Sequence, residues 1–143
     1  MRRTYTLVEI IEILTRLIGD YEEEMFAQFK KVGLTAKQAN YLEAIKALGN
    51  PNQVELAAAL GLSKPSITAI IDKLSTLGFV KKTQSDEDRR SFHLHLTEKG
   101  ERITRMHDQT HRKIADTIAK NLSKEDERQL VEVLNNVIRK MNP

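Results

Sequence analysis

The sequence predicts a mainly α-helical protein with one small β-hairpin, and three observations predict it. Apolar residues recur at three- and four-residue steps over most of the 143 positions, the mark of amphipathic helices. One short stretch, residues 91–96, switches to strict alternation, the period of a strand. Helix-capping residues and glycines punctuate the periodic segments where such helices begin and end.

The first helix runs from about Thr6 to Phe29. Leu7, Ile10, Ile11, Leu14, Leu17, Ile18, Tyr21 and Met25 share one stripe, and Gly33 closes it. The second starts near Thr35 and places Ala39, Leu42, Ile45 and Leu48 on one face. It stops at Gly49-Asn50-Pro51, because proline cannot continue a helix and disfavours helix at the residue before it. Asn52 caps a short third helix, with Glu55 as its capping-box partner. Val54, Leu56, Ala57 and Leu60 form its apolar side, and Gly61 ends it. Two residues on, Ser63 caps a fourth helix and Pro65 sits in its first turn, where amides have no intrahelical partner anyway. Ile67, Ile70, Ile71 and Leu74 are its buried stripe, and Gly78 stops it. The two helices joined by Gly61-Leu62-Ser63 form a helix-turn-helix.

Phe79 and Val80 then open a strand, and residues 83–90 are polar and turn-like. From Ser91 the chain alternates, with Phe92, Leu94 and Leu96 on one side and Ser91, His93 and His95 on the other, read as outward. Thr97 caps a long fifth helix carrying Ile103, Met106, Ile114 and Ile118, with an interruption expected near Gly100. Ser123 caps the last helix, whose stripe is Leu130, Val133, Leu134, Val137, Ile138 and Met141. Residues 1–143 therefore read as one domain. A winged helix-turn-helix lobe spans 35–97, flanked by helical segments 1–33 and 98–143.

Composition narrows the function. Forty per cent apolar and 30% charged residues suit a globular chain. Without cysteine there are no disulfides, thiolate nucleophiles or sulfur-ligated zinc sites. No apolar run is long enough to span a membrane, and Glu9 and Glu12 interrupt the one that follows Met1-Arg2-Arg3. A soluble, cytoplasmic protein with no membrane partner is expected. No nucleophile elbow, phosphate-cradling glycine loop or metalloprotease helix occurs, so neither an enzyme nor a cofactor is expected.

The net charge of +3 is small, but residues 64–105 carry nine basic and six acidic side chains while the flanking segments nearly balance. A basic patch at a helix-turn-helix suits double-stranded DNA. The fourth helix offers Lys64, Ser66, Thr68, Ala69, Asp72 and Lys73 on its outward face, with Ser63 and Pro65 at its start. Small hydroxyls can approach base edges, and lysines can take phosphate or guanine. At the hairpin tip, Asp88 beside Arg89 and Arg90 reads as a brace that projects an arginine toward a minor groove. The flanking helices have apolar stripes longer than a winged helix-turn-helix core needs, which points to a homodimer. The rival reading is a helical protein-interaction module with no DNA role.

Asp88-Arg89-Arg90 followed by Leu96-Thr97-Glu98-Lys99-Gly100, with Leu60-Gly61-Leu62-Ser63 and Leu77-Gly78-Phe79-Val80, resembles the MarR family of bacterial winged helix-turn-helix regulators. The resemblance extends over essentially the whole chain. It implies a dimeric repressor of a palindromic operator, released by a small-molecule effector bound between the dimerisation helices and the DNA-binding lobe. It makes Arg90 the wing arginine, Asp88 its partner, and 1–33 and 98–143 the dimerisation helices. Ala69 stands where many members carry a basic residue, which moves base readout to Thr68, Ser66 or Lys73.

His107 and His111, four apart on the fifth helix, share a face and are close enough to chelate a metal. Some zinc-sensing members of the same family use such a pair, with a carboxylate from the first helix and a histidine from the second. Glu22, Glu23 or Glu24 can supply the carboxylate, Glu22 being the candidate we carry forward. The second helix offers Asn40 and Tyr41 in place of the histidine, so the ligand set reads as incomplete. A zinc-responsive regulator of the same fold is the alternative function.

Overall fold

The computed structural model describes residues 2–142. Six helices and one hairpin follow in the order α1 (Leu7–Lys31), α2 (Ala36–Leu48), α3 (Gln53–Leu60), α4 (Lys64–Thr76), β1 (Val80–Gln84), β2 (Phe92–Leu96), α5 (Glu98–Ala119) and α6 (Lys124–Met141). All six helices begin at a Ser, Thr or Asn whose side-chain oxygen accepts from the amide three residues on. At Thr6, Thr35 and Asn52 a Glu or Gln at that third position reaches back to the cap amide, closing full capping boxes. The expected helix starts are therefore fixed by local chemistry.

The core lies in the lobe. Leu42, Ile45, Leu56, Ile67, Ile71, Leu74, Phe79 and Leu94 are completely or almost completely buried, joining α2, α3, α4 and the hairpin. Met25 and Phe29 of α1 and Ile103 of α5 extend it toward the long helices. β1 and β2 pair antiparallel, with Val80 opposite Leu96, Lys81 opposite His95 and Lys82 opposite Leu94. A bridge between Asn52 and His93, with the Leu94 amide donating to Pro51 O at 2.8 Å, pins the hairpin to the turn before α3.

Four expectations need correction. Helix α5 runs through Gly100 without a break, because that glycine is buried where a Cβ would stand 2.3 Å from Phe79 O. It is there for close packing against the wing root rather than to end a helix. His93 and His95 do not face outward: both are half-buried, and His93 Nδ1 lies 3.2 Å from Asn50 O. Phe92, placed on the inward side by alternation, is exposed because the core ends before the tip of the hairpin. Val54 is likewise 73% exposed, leaving Leu56 as the buried anchor of α3.

The terminal helices behave differently from the lobe. Seven large apolar residues of α1 and seven of α6 are exposed, among them Leu7 at 74% and Met141 at 72%, and α6 buries no residue. Their stripes are present as expected, with little in the protomer to cover them.

Candidate nucleic-acid interface

Helix α4 is held from behind by Ile67, Ile71 and Leu74 and from its ends by three polar contacts. At the start, Ser63 Oγ accepts from the Ser66 amide at 3.3 Å and donates to Ser66 Oγ at 2.9 Å. At the end, Lys99 Nζ donates to Leu77 O at 2.8 Å while lying 4.4 Å from the centre of the Phe79 ring. Along its flank, Lys82 of β1 pairs with Asp72 at 2.8 Å. That pair links α4 to the wing, and it places a cation beside the acid on the outward face.

Of the α4 residues selected from sequence, Ser63, Lys64, Pro65, Ser66, Ala69 and Lys73 are exposed together on one side. Thr68 differs. It is half-buried, donates to Lys64 O at 2.9 Å, and lies 3.5 Å from Gln53 Oε1 of α3. Its hydroxyl is turned back to the helix, so Ser66 and Lys73 are the freer polar groups on this face.

The wing tip is built on backbone contacts. The Ser85 amide donates to Ser91 O at 2.9 Å, the Ser91 amide to Asp88 O at 2.9 Å, and Gln84 Nε2 to Arg89 O at 2.7 Å. The Asp88 carboxylate accepts from the Arg90 amide at 2.9 Å. The expected brace exists, then, but it acts on the Arg90 main chain and not on a guanidinium. Arg89 and Arg90 are exposed and have no carboxylate within salt-bridge distance among the described residues. The sequence signal for this is the two-residue spacing itself, since an Asp side chain reaches the amide two positions on.

A second cluster lies where α1, α2 and α5 cross. The His107 and His111 rings stand 4.1 Å apart, centre to centre. His107 Nδ1 is 3.5 Å from Glu43 Oε1, and His111 Nε2 is 3.5 Å from Glu22 Oε1. Glu43 Oε1 and His107 Nδ1 are buried without a hydrogen-bond partner, and burial pushes the Glu43 carboxyl above its ordinary value despite the His107 imidazole. Asp108 adds a third ligand atom within 4.8 Å of Glu43 and His107, although Lys46 donates to it at 2.6 Å and holds its carboxyl below the usual range. Glu43 is the residue that sequence reasoning missed. It approaches His107 from α2.

Comparison with known proteins agrees with this geometry. Residues 34–92 match the model of the MarR family. The transcriptional repressor MprA of Escherichia coli is 47% identical over 51 residues, which is 36% of this chain and 29% of MprA, so the match spans less than a third of that relative. Streptococcus pneumoniae FabT, in complex with DNA, superposes with a TM-score of 0.72 at 22% identity, covering 95% of this chain and 97% of FabT. S. aureus MepR bound to ethidium bromide gives 0.78 at 17% identity over 96% and 98% of the two chains. Residues 34–92 are thus similar to the MarR family, and the described chain has the winged helix-turn-helix fold of these solved structures.

Proposed function

We propose that this protein is a transcriptional regulator that binds double-stranded DNA as a homodimer. Each copy lays α4 in a major groove and its wing in the neighbouring minor groove. At 13 residues α4 is about 20 Å long, enough to cross a major groove. Ser63, Lys64, Pro65, Ser66, Ala69 and Lys73 form the contact surface, with Thr68 supporting it from the α3 side. Arg89 and Arg90 reach the minor groove, with Asp88 fixing the loop beneath them. The observation that carries this reading is the pair of wing-tip arginines without acidic partners, on the same lobe as the exposed start of α4.

The exposed stripes of α1 and α6 support dimerisation. Burying one Leu, Val or Ile side chain is worth about 1.5–3 kcal/mol. Association costs about 4–15 kcal/mol in lost freedom. The fourteen exposed apolar residues on α1 and α6 of each copy supply the apolar area that offsets this cost. A two-fold dimer matches a palindromic operator with half-sites about 34 Å apart. MprA is a repressor and MepR has been seen with ethidium bromide bound. We therefore read the regulation as repression, relieved when a small-molecule effector favours a wrongly spaced pair of lobes.

The test is duplex binding as a function of salt. Affinity is expected to fall steeply as salt rises, and Arg90→Ala is expected to reduce the log–log slope by about one phosphate's worth. Salt-independent binding, or none to any duplex, contradicts the proposal.

The α1–α2–α5 cluster favours a second reading of regulation. Glu43, His107 and Asp108 bring ligand atoms within 4.8 Å of one another, two of them buried and unpartnered, and the His111–Glu22 pair lies alongside, His111 being on the same helix as His107. Nitrogen and oxygen donors of this kind suit zinc. Calorimetry of the intact protein with zinc is expected to give saturable binding that Glu43→Ala and His107→Ala each abolish. No binding tighter than micromolar removes this reading.

A further inference from the structure

The outward face of α4 has an apolar centre. At 3.6 residues per turn, Pro65 and Ala69 lie opposite the buried stripe of Ile67, Ile71 and Leu74, and both are exposed. Asp72 and Thr76 continue the same line with their polar groups engaged. The Asp72 carboxylate pairs with Lys82 at 2.8 Å, and Thr76 Oγ1 donates to Asp72 O at 2.8 Å. Lys64 and Lys73 stand on the two sides of this line. Beside it, Ser66 Oγ accepts from Ser63 Oγ at 2.9 Å, which leaves the Ser66 hydroxyl its own proton to donate.

This composition restricts what the helix can recognise. Arginine, asparagine and glutamine, the side chains that grip a base edge through paired hydrogen bonds, are absent from Lys64–Thr76. On the floor of a major groove most of what a base pair presents is a donor or an acceptor, and the thymine 5-methyl is the apolar exception. A proline ring or an alanine methyl pressed on a donor or acceptor strips its water and returns no hydrogen bond. Pressed on a thymine methyl, the same groups bury apolar surface from both sides. Thymine also carries the O4 acceptor beside that methyl, which suits a hydroxyl that has a proton to give.

We propose that Pro65 and Ala69 are the specificity-determining residues of α4 and select thymine through its 5-methyl group, with the Ser66 hydroxyl donating to a thymine O4. Four residues of helix rise about 6 Å, close to two base-pair steps of about 3.4 Å, so the two side chains address neighbouring positions of one half-site. Lys64 and Lys73, on either side, are left for the phosphates that line the groove. The inference rests on the DNA-binding reading above and adds to it the base that each half-site must hold.

The probe is the duplex that the whole protein enriches from a random pool, remade with deoxyuridine in place of thymidine at one position at a time. This exchange removes the methyl and leaves every hydrogen-bonding group of the base. A loss of about fourfold in affinity, the worth of one buried methyl, is expected at one or two neighbouring positions in each half-site. At those positions cytosine is expected to bind more weakly than thymine, and 5-methylcytosine to recover part of the loss. Ala69→Gly is expected to abolish the difference between thymine and uracil at the position Ala69 faces. The comparison of two duplexes on one protein cancels any cost of glycine to the helix. Equal affinity of the parent for thymine and uracil at every position overturns the proposal and leaves DNA binding standing. So does an Ala69→Gly variant as sensitive to uracil at every position as the parent. If the pool yields no enriched duplex, sequence-specific DNA binding itself falls, and this assignment with it.

Discussion

At the wing tip, the Asp88 carboxylate holds the loop through the Arg90 amide, so its charge is secondary to its acceptor oxygen. Asparagine carries the same oxygen in the same place. Asp88→Asn is therefore expected to keep most of the duplex affinity, whereas Asp88→Ala loosens the loop and lowers it. Equal losses in the two variants would restore an ion-pair role and contradict the geometry. The sequence made Asp88 and Arg90 legible because their contact is two residues long. Glu43 was not legible, since only the rotation of α2 about its axis, set by packing against α5, decides whether position 40, 41 or 43 meets His107. The orientation of Thr68 has a similar cause: it lies at the side of α4 beside Gln53 of α3, and its hydroxyl donates to the Lys64 carbonyl.

Helix boundaries were readable because they are local. The caps at Thr6, Thr35, Asn52, Ser63, Thr97 and Ser123 each need only three residues of sequence. The left-handed backbone at Gly33, Gly61 and Gly78 explains why those three follow helix ends. Gly100 defeats the same logic, because its cause is an oxygen 21 residues earlier in the chain, at Phe79. An added methyl has backbone on one side and Leu96 on the other, so Gly100→Ala must displace α5 from the wing root. Overpacking of this kind costs about 1–3 kcal/mol. The expected outcome is a thermal midpoint several degrees lower, with helix content retained. An unchanged midpoint would mean that α5 is free to shift. His93 belongs to the same class, being covered by the turn before α3, which alternation within the hairpin cannot reveal.

The whole molecule is asymmetric in its burial: the lobe closes a core on itself, while α1 and α6 leave their apolar stripes open. A charged residue on such a stripe leaves the protomer intact and opposes association. Leu134→Glu, at a half-exposed position of α6, is expected to sediment as a folded monomer and to bind a two-half-site duplex far more weakly. A dimer that survives this change would place the interface elsewhere. The length of the stripes was plain in the sequence, but their exposure required the protomer's own packing.

The most direct measurement is selection of duplexes from a random pool by the purified protein. Two copies reading one face of DNA should enrich an inverted repeat whose half-sites are about ten base pairs apart, centre to centre. A single unrepeated motif, or a pool left unchanged after selection, would contradict the paired-lobe geometry.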